Sequence, residues 1–524
     1  MRNKPENKSL RVLEKDTFYE LLRTYTEIYG AEHIVYISDN VKMTCRELQN
    51  RADRMTVKLI KEYEIQPGDR LSLIGGNGPD WFVCFFAIIR AGAVAVIENP
   101  MLKGEEIKKH YNDYDVKLLI TAKVNESLED ELKGFFGDKV IRSTELYSDE
   151  ILNEDEKLLE ELDRSLPSGR DAIAFFTSGS TSEPKTVLLS QEAVVRNARH
   201  LSHRCSFQKE YQIICVPLAH ILGLVCAIRD MVIGATFVLE GNSIDSIVEV
   251  CRDYPVGALT NVPYILKKLA THPDFDSVVK PRIKHLVTGS ASISPDEGDD
   301  LEKQYDAKLV CGYGMTEVAG VASMPAFEAP TEKRYLSVGN ALEGIDIRIG
   351  DLSSSSENRK FCPHGELGEV LVKGDTLMNG YDRDKEPLKT IDEDGYLHTG
   401  DVGYLDEDGY LHLCGRLKNI IIKGGENILP GEIERCIGRL ESVKGVIVVG
   451  VPDESYGEEI AALVIPKEGC EVTLEDIRAA VSSHCTKFKQ PKYMLVYDSF
   501  PLTMVGKPDL AMLKKDACSR ISEI

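Results

Sequence analysis

The segment Thr177-Ser-Gly-Ser-Thr-Ser-Glu-Pro-Lys185 contains the residue types that bind phosphate groups. Its small and hydroxylated residues leave several backbone amides and hydroxyl groups available as hydrogen-bond donors, and Lys185 adds a fixed positive charge. Apolar runs at residues 171–176 and 186–189 flank the segment and are typical of strands. The sequence therefore predicts a phosphate-binding loop between two strands.

This segment has two other possible interpretations, a Walker A motif and a loop without function. Residues 179–186 read GxxxxPKT, which is close to a Walker A motif. However, Pro184 occupies the place of the second glycine, and a strand rather than a helix is predicted after Lys185. The other interpretation, a Ser/Thr/Gly-rich hairpin tip without function, stays open on spacing alone.

Two further sequence patterns give weaker evidence of function. His200 and His203 lie one helical turn apart, but no third ligand is evident, so we interpret them as surface helix residues rather than a metal site. The heptapeptide DEDGYLH occurs at residues 392–398 and again at 406–412. Each copy reads as a turn that leads into a strand, which predicts a small β-meander.

The elements that must position these residues follow an alternating pattern. Apolar runs at residues 70–74, 93–97 and 116–121 alternate with helical patterns such as residues 104–112. This alternation predicts parallel sheets with covering helices, an α/β fold.

The pattern changes beyond residue 418. Ile433, Cys436, Ile437 and Leu440 have helical spacing, with Pro430 near the start of the predicted helix. Strands are predicted at residues 445–451 and 460–466, and a further helix at about 474–484. The last hundred or so residues therefore form a compact α+β unit in this prediction.

Composition limits the possible functions. The chain has 524 residues, more than one compact core usually holds, and its 43% hydrophobic and 28% charged residues are typical of a soluble globular protein. Its formal net charge of -22 opposes binding to nucleic acid. We expect no nucleic-acid partner.

The chain carries no evident targeting or membrane signal. Its first ten residues, MRNKPENKSL, lack the apolar core of a signal peptide, and charged residues or glycine interrupt the apolar stretches at 81–97 and 221–239. The 13 cysteines form no CxxC pair, which favours free thiols in a reducing compartment. We expect a cytoplasmic protein without an integral membrane segment.

Five motifs, in order, resemble those of the class I adenylate-forming (ANL) enzymes, the superfamily of acyl-CoA synthetases, adenylation domains and firefly luciferase. The resemblance spans roughly residues 40–515. The motifs are the phosphate loop at 177–185, GYGMTE at 312–317, TGDVG at 399–403, the hinge region at 415–434 and PLTMVGK at 501–507. The resemblance implies a large N-terminal domain of stacked sheets with a β-subdomain, residues 1–417, and a small mobile α+β C-terminal domain, residues 418–524.

The resemblance also implies roles for residues of the large domain. Thr316 would contact the α-phosphate of ATP, Glu317 would help to hold Mg²⁺, and Tyr313 would lie against adenine. Without Thr316 and Glu317 beside it, Tyr313 would be better interpreted as a strand tyrosine that faces the core. The implied phosphate-binding residues are Thr177, Ser178, Gly179, Ser180, Thr181 and Lys185.

Further roles fall on the last quarter of the chain. Asp401 would accept hydrogen bonds from the ribose hydroxyls, and Arg416 would contact ribose and phosphate. Lys507 would be the catalytic lysine that reaches the carboxylate and the α-phosphate. Lys418 would be the hinge, and Gly425 would belong to the face beside which the pantetheine of CoA enters. Without the resemblance, Asp401 would be interpreted as a turn-capping aspartate, and Arg416 and Lys507 as solvated surface cations.

The resemblance implies that His220 borders the acyl pocket. It also implies that His220 is one of the catalytic residues. From the residues alone, His220 would be a satisfied buried histidine. No aspartate matches the one that holds the amine of amino-acid substrates, and several pocket residues are small, which favours an apolar acyl or aryl acid. The implied pocket residues are His220, Val262, Gly289, Gly314 and Val318.

We therefore expect a two-step ligase that uses ATP, Mg²⁺ and CoA. A small carboxylic acid and MgATP would give an acyl-adenylate and pyrophosphate, and the thiol of CoA would then displace AMP. Two alternatives stay open: a ligase that loads the acid onto a carrier protein, and a non-catalytic nucleotide-binding homologue. The second gains weight from two departures from the family pattern, Ser182 in place of glycine and Leu510 in place of arginine.

Overall fold

The computed structural model describes most of the chain, namely residues 16–38, 41–146, 153–177, 185–205, 211–239, 243–289, 293, 295–352, 360–383, 390–501 and 508–522. The chain forms two compact units. Unit 1 comprises Met1–Asp346 and Val372–Leu397, and unit 2 comprises Ile347–Leu371 and His398–Ile524. The expected domain boundary at residue 417 stays a prediction.

The first sheet of unit 1 is mixed and has nine strands. They are β1 (Ile34–Ser38), β2 (Val41–Thr44), β9 (Tyr211–Ile214), β10 (Phe237–Leu239), β11 (Val256–Thr260), β12 (His285–Gly289), β13 (Lys308–Met315), β14 (Gly320–Met324) and β15 (Asn340–Ala341). Their order is β15-β14-β13-β12-β11-β9-β10-β1-β2. The six strands from β13 to β1 pair in parallel, so their carboxyl ends lie along one edge.

The second sheet of unit 1 has seven strands, in the order β18-β8-β7-β4-β3-β5-β6. These strands are β3 (Arg70–Gly75), β4 (Val94–Glu98), β5 (Val116–Ala122), β6 (Val140–Arg142), β7 (Asp171–Thr177), β8 (Lys185–Ser190) and β18 (Gly380–Tyr381). The strands predicted at 70–74, 93–97, 116–121, 171–176 and 186–189 are confirmed, with ends that differ by at most one residue. Strands β3 to β7 pair in parallel, and β8 runs antiparallel to β7.

Helices cover both sheets, as the alternating pattern predicts. They are α1 (Phe18–Tyr29), α2 (Cys45–Lys61), α3 (Pro79–Arg90), α4 (Gly104–Asp113), α5 (Glu126–Phe136), α6 (Asn153–Ser165), α7 (Gln191–Arg204), α8 (Ile221–Ile233), α9 (Ile244–Asp253), α10 (Pro263–Leu269), α11 (Pro295–Tyr305) and α12 (Thr331–Tyr335). The apolar stretch at 81–97 is explained by α3 and β4, in which every residue from Trp81 to Glu98 is buried. Among the described residues, no helix has both the length and the apolar character needed to cross a membrane.

A third sheet belongs mainly to unit 2 and contains the predicted meander. Its strands are β16 (Ile345–Gly350), β17 (Gly368–Gly374), β19 (Leu397–Leu405) and β20 (Leu411–Arg416). Both copies of DEDGYLH form the same turn. Oδ1 of Asp392 accepts hydrogen bonds from the backbone of Asp394 and Tyr396, and Oδ1 of Asp406 accepts the equivalent pair. Each turn leads into a strand, as predicted.

The last part of unit 2 is an α+β structure, as predicted. Its elements are β21 (Ile421–Lys423), β22 (Glu426–Ile428), α13 (Pro430–Ile437), β23 (Val443–Asp453), β24 (Gly457–Pro466), α14 (Leu474–Ser482), β25 (Tyr493–Val496) and α15 (Leu510–Ser522). Ile433 and Ile437 of α13 pack with Ile477 of α14 in one core. The predicted helix through Leu440 ends one turn early, because Gly438, a poor helix former, follows Ile437.

Candidate active site

The predicted acyl-pocket residues follow neighbouring strands at the carboxyl edge of the first sheet. In the parallel register, Ile214 is level with Thr260 and Gly289 is level with Gly312. His220 follows β9, Val262 follows β11, Gly289 ends β12 and Gly314 lies near the end of β13. This edge is where open α/β sheets bind ligands.

The GYGMTE motif forms the end of β13 and a tight turn. Thr316, Glu317 and Val318 form a single 3₁₀ turn, and the following Ala319 and Gly320 have φ of 54° and 134°. Gly314 lies so close to the returning strand that a Cβ atom would be 1.9 Å from the carbonyl oxygen of Gly320. Only glycine fits at position 314 without a backbone shift.

Asn197, a buried residue of α7, holds this turn. Its Nδ2 donates to the carbonyl oxygens of Val318 at 3.1 Å and Val321 at 2.8 Å, and its Oδ1 accepts from the Val321 amide at 3.1 Å. The sequence analysis missed Asn197. The available signal was a polar side chain on the helix face that also carries Val194 and Leu201.

Glu317 and Lys185 both contact Tyr381, a residue that the sequence analysis also missed. Glu317 is 8% exposed, and its Oε1 accepts a hydrogen bond from the Tyr381 hydroxyl at 2.8 Å. Nζ of Lys185 lies 4.4 Å from the centroid of the Tyr381 ring, within the range of a cation–π contact. Tyr381 therefore links the lysine that follows the phosphate loop to the acidic residue of the GYGMTE motif.

An ion pair fixes the short strand that carries Tyr381. Tyr381 pairs with Val187 of β8, and the amide of Asp382 donates to the Thr186 carbonyl at 2.8 Å. The guanidinium of Arg70 donates to both carboxylate oxygens of Asp382, at 2.7 and 2.9 Å. These hydrogen bonds from Arg70 lower the pKa of Asp382.

The two ends of the phosphate loop form the base of a hairpin. Thr177 pairs with Lys185 across β7 and β8, and its Oγ1 donates to the Lys185 carbonyl at 3.1 Å. A strand follows Lys185, as predicted, and not the helix of a Walker A motif. The predicted phosphate-binding residues Ser178, Gly179, Ser180 and Thr181, together with Ser182, lie outside the described residues.

Asn77 joins the carboxyl edges of the two sheets. It follows β3 of the second sheet, and its side chain bonds the backbone of the segment after β9 of the first sheet. Its Nδ2 donates to the Val216 carbonyl at 3.2 Å, and its Oδ1 accepts from the Leu218 amide at 2.8 Å. Within unit 1, the segment that leads to His220 is therefore fixed to the second sheet.

Three of the predicted site residues, His220, Tyr313 and Val318, lie in unit 1. His220 is exposed, and its Nδ1 accepts from the Leu222 amide at 3.3 Å as the N-cap of α8. The alternative expectation of a buried His220 is wrong, because the side chain caps the helix at the surface. Tyr313 is buried, and Val318 is fully buried beside Asn197.

His200 and His203 are each paired with a carboxylate. Nε2 of His200 lies 3.2 Å from Oδ1 of Asp375, and Nδ1 of His203 lies 2.8 Å from Oε2 of Glu343. Within the described ranges, no cluster of three or more His, Cys, Asp or Glu side chains is arranged to hold a metal ion.

In unit 2, Asp401 and Arg416 face each other on β19 and β20. They are register partners, and Nε of Arg416 donates to Oδ1 of the buried Asp401 at 2.8 Å. Glu369 of β17 holds the turn before Asp401, since its carboxylate accepts from the Gly400 amide at 3.1 Å and pairs with His398 at 2.8 Å. Glu369 carried no motif signal in the sequence analysis.

The residues predicted to form the hinge and the CoA-binding face, Lys418 and Gly425, also lie in unit 2. Lys418 lies in a single 3₁₀ turn, and burial together with the charge of Arg416 lowers the pKa of Lys418, partly offset by Asp401. Gly424 and Gly425, with φ of 57° and 88°, form the turn between β21 and β22, a conformation that favours glycine. Lys507 lies outside the described residues.

An exposed aromatic pair lies beside this turn. Tyr456 is 47% exposed and Phe488 is 36% exposed, with ring centroids 6.0 Å apart. A Cβ atom on Gly424 would lie 3.1 Å from the Tyr456 ring. Nζ of Lys423 lies 4.7 Å from the centroid of the Phe488 ring and 2.5 Å from Oε1 of Glu459.

Comparison with known proteins identifies relatives over nearly the whole chain. Residues 25–382 match the AMP-binding enzyme family, and residues 432–507 match the AMP-binding enzyme C-terminal domain. Oxalate–CoA ligase from Arabidopsis thaliana is 30% identical, over 94% of this chain and 97% of that protein. 4-Coumarate–CoA ligase 1 from Petroselinum crispum is 28% identical, over 87% of this chain and 85% of that protein. The crystal structure of ATP-bound MatB from Rhodopseudomonas palustris has the same fold, with a TM-score of 0.82 at 23% identity over 95% of this chain and 98% of that chain.

Proposed function

This chain belongs to the AMP-binding enzyme family, in the acyl-CoA synthetase branch of the class I adenylate-forming superfamily, and on that basis we propose which acid it activates and which residues act. The enzyme is an AMP-forming acid–thiol ligase that consumes ATP and CoA. We propose a fatty or aryl acid as the substrate and a cytoplasmic site of action.

The proposed reaction has two steps. A carboxylate oxygen of the acid attacks the α-phosphorus of ATP, and the bond between this phosphorus and the pyrophosphate oxygen breaks. The thiol of CoA then loses its proton and attacks the acyl carbon, and the bond from this carbon to AMP breaks. Both steps need an aligned carboxyl group and compensation of the negative charge that develops on the phosphate.

The phosphate loop and Lys185 would bind the ATP phosphates in the first step. The base of the hairpin, formed by the pair Thr177 and Lys185, supports this role because it lies at the carboxyl end of β7. Lys185 is exposed and contacts Tyr381, so its charge lies at the base of the hairpin. The proposed donors of the loop are Thr177, Ser178, Gly179, Ser180 and Thr181.

Glu317 is suited to hold Mg²⁺ in the presence of ATP. Protein sites for Mg²⁺ commonly supply only one or two carboxylates, and substrate phosphates and waters complete the shell. Glu317 is a nearly buried carboxylate, and the Tyr381 hydroxyl orients one of its oxygens. Bound Mg²⁺ would offset phosphate charge, and the neighbouring Thr316 hydroxyl would contact the α-phosphate.

We propose that Tyr313 and Asp401 bind the nucleoside of ATP. Tyr313 would lie against adenine, and Asp401 would accept hydrogen bonds from the ribose hydroxyls. The ion pair with Arg416 supports the role of Asp401, because it orients the carboxylate. Lys507 would donate to the carboxylate and the α-phosphate during adenylation.

For the second step we propose a change of conformation at Lys418. It would present the turn at Gly425, where the pantetheine of CoA approaches. The exposed pair Tyr456 and Phe488 supports CoA as the acceptor, because exposed rings offer stacking surfaces for adenine. A carrier protein remains the alternative acceptor.

The acid class is proposed from the pocket residues His220, Val262, Gly289, Gly314 and Val318. Gly289 and Gly314 lie at the carboxyl edge of the first sheet, and the valines are apolar. The relative named for 4-coumarate supports an aryl acid, whereas the relative named for oxalate represents the competing class of short dicarboxylic acids.

One observation carries the proposal above the others: Lys185 and Glu317, from two motifs distant in sequence, contact the same tyrosine. A lysine that can bind phosphate and a carboxylate that can bind Mg²⁺, both held by one tyrosine, are suited to binding MgATP. A hairpin tip without function would not need this arrangement.

The test is acid-dependent exchange of pyrophosphate into ATP, measured over a panel of fatty acids, cinnamic and benzoic acids, oxalate and malonate. We expect exchange with a few fatty or aryl acids, loss of exchange in Lys507→Ala, and thioester formation when CoA is added. The matched control is Lys514→Ala, because Lys514 is an exposed lysine of α15 that forms an ion pair with Glu458 at the surface.

Other outcomes would contradict specific parts of the proposal. Exchange with oxalate or malonate alone would contradict the fatty or aryl class. Acyl transfer to the phosphopantetheine of a carrier protein, but not to CoA, would identify a carrier-loading ligase. Binding of MgATP without exchange for any acid would identify a non-catalytic homologue, with Ser182 and Leu510 as the first residues to revert.

A further inference from the structure

Two cysteines of unit 2 lie in contact without being bonded. Sγ of Cys436, on α13, lies 3.7 Å from Sγ of Cys485, which follows α14. A disulfide requires about 2.05 Å between the sulfur atoms, so the two side chains must move closer together for the bond to form. We propose that Cys436 and Cys485 form a redox-active pair, which small disulfides such as oxidised glutathione convert into an intramolecular disulfide.

The backbone around both cysteines is well held. Cys436 belongs to the core of unit 2 together with Ile433 and Ile437. The amide of Cys485 donates to the Val481 carbonyl at 2.8 Å, which continues the last turn of α14. The two sulfur atoms are therefore kept close together by helix packing rather than by chance contact of mobile loops.

Glu432 adds two contacts between the same elements. It lies one turn before Cys436 on α13, and its Oε1 accepts from the Cys485 thiol at 3.5 Å. Its Oε2 accepts from Nζ of Lys489 at 2.6 Å. The segment 485–489 is thus fastened to α13 at several points, which favours closure of the disulfide over reaction with a second protein.

The two thiols have unequal access. Cys436 is 7% exposed, whereas Cys485 is partly exposed. Cys485 is therefore the thiol that an external disulfide reaches first, and Cys436 is placed to resolve the product. Burial, with the nearby Cys436 and Glu432, raises the pKa of Cys485 to about 12, so the reaction accelerates as the pH rises.

The chemistry balances with one equivalent of oxidised glutathione. The thiolate of Cys485 attacks one sulfur of the external disulfide, an S–S bond forms to Cys485, and one glutathione thiolate leaves. The thiolate of Cys436 then attacks Sγ of Cys485, and the second glutathione thiolate leaves. The two cysteines lose two protons and two electrons, and the external disulfide is reduced to two thiols.

The cross-link would affect the second step of the proposed reaction, a consequence that rests on the proposed function. Helix α13 directly follows the strand β22 of the CoA face, and Phe488 lies three residues after Cys485. A disulfide would restrain both segments that border this face. The existence of the cross-link does not depend on that function. An experiment can therefore refute the cross-link or the proposed function without refuting the other.

The test uses the full-length protein with oxidised glutathione at pH 8.5, followed by alkylation of free thiols and peptide mass spectrometry. We expect one cross-linked species containing Cys436 and Cys485, lighter by two hydrogens and reversed by dithiothreitol. Cys470, an exposed cysteine of the same unit, should instead carry a glutathione adduct. The oxidised protein should unfold at a higher temperature, because the cross-link constrains the unfolded chain.

Two variants separate the steps. In Cys436→Ser, we expect a stable glutathione adduct on Cys485, because the resolving thiol is missing. In Cys485→Ser, Cys436 should stay free. A stable adduct on Cys485 in the wild-type protein would overturn the proposal. It would equally be overturned if both thiols stayed free after Cys470 had reacted completely.

Activity measurements test the consequence. We expect oxidation to slow thioester formation with CoA by about threefold or more, while acid-dependent pyrophosphate exchange changes less than about twofold. Cys485→Ser should be insensitive to oxidised glutathione in both assays. An equal loss in both assays, or no loss, would refute the effect on the CoA step and leave the mass measurements to decide on the cross-link.

Discussion

The hydroxyl of Tyr381 donates a hydrogen bond to Oε1 of Glu317 at 2.8 Å, while the ring of the same tyrosine lies 4.4 Å from Nζ of Lys185. These three residues come from three separate segments of the chain. Tyr381 orients the carboxylate that we propose for Mg²⁺ and borders the lysine that we propose for the ATP phosphates. It therefore acts as a positioning residue.

Replacing Tyr381 tests this relationship. Tyr381→Phe keeps the ring but removes the hydrogen bond to a charged group, and we expect pyrophosphate exchange to fall by about tenfold. The matched control is Tyr396→Phe, because the Tyr396 hydroxyl also donates to a carboxylate, that of Asp346, at 2.6 Å. Equal activity losses in both variants would argue against a specific role for Tyr381.

Removal of Asn197 tests the support of the turn at residues 318–321. Asn197→Ala deletes three hydrogen bonds to that backbone, and we expect a loss of about 2–4 kcal/mol in the free energy of unfolding, measured in urea. Ser202→Ala on the same helix is the control, since its hydroxyl bonds only locally to Arg199. If the two variants unfolded at the same urea concentration, the role assigned to Asn197 would be wrong.

Two glycines of the same strand should respond differently to alanine. At Gly314 the added Cβ would be 1.9 Å from the Gly320 carbonyl oxygen, so we expect Gly314→Ala to destabilise the protein by about 3 kcal/mol or more. At Gly312 the nearest atom would be a side-chain carbon of Met324 at 3.5 Å, an ordinary contact. Thermal unfolding of Gly312→Ala should therefore resemble that of the wild type, and a reversed order would refute this reading of the turn.

The aromatic pair of unit 2 should affect CoA and not adenylation. We expect Phe488→Ala and Tyr456→Ala each to raise the KM for CoA by about tenfold, because an exposed ring contributes to binding by stacking on a base. Pyrophosphate exchange without CoA should be unchanged. The control is Val496→Ala, which removes an equally exposed apolar side chain of the same unit. An unchanged KM for CoA would remove the pair from the acceptor site.

The ion pair of Arg70 with Asp382 should contribute a pH-dependent stability. The pKa of Asp382 is lower in the folded protein than in the unfolded chain, so the contribution is present above the ordinary value of 3.8 and is lost as the pH falls through the folded value. At pH 7 we expect Asp382→Asn to lose about 1–3 kcal/mol in the free energy of unfolding. The difference from the wild type should shrink in acid.

A surface ion pair provides the control for this measurement. Glu32 lies 2.9 Å from Arg46, but both side chains are largely exposed. We expect Glu32→Gln to change stability by less than about 1 kcal/mol at any pH. If Asp382→Asn lost the same amount at pH 3 as at pH 7, the assigned sign of the pKa shift would be wrong.

The sequence by itself determined the features that depend on short stretches of chain. The strands that flank the phosphate loop, the two DEDGYLH turns and the α+β character beyond residue 418 follow from local apolar patterns and turn residues, and the structure confirms them. The family also follows from the sequence, because the motifs are read in order along the chain and residues 25–382 match the AMP-binding enzymes. The roles of Lys507 and the loop residues remain predictions.

Only the tertiary structure decided which distant side chains meet. Tyr381 reaches Glu317 through the pairing of β18 with β8, and Asn197 reaches the 318–321 turn through the packing of α7. The contact between Cys436 and Cys485 likewise depends on how α13 packs on α14. No local pattern encodes such partners, because a hydrogen bond or a sulfur contact depends on strand register and helix rotation. Strand register and helix rotation are determined by the cooperative packing of the whole unit.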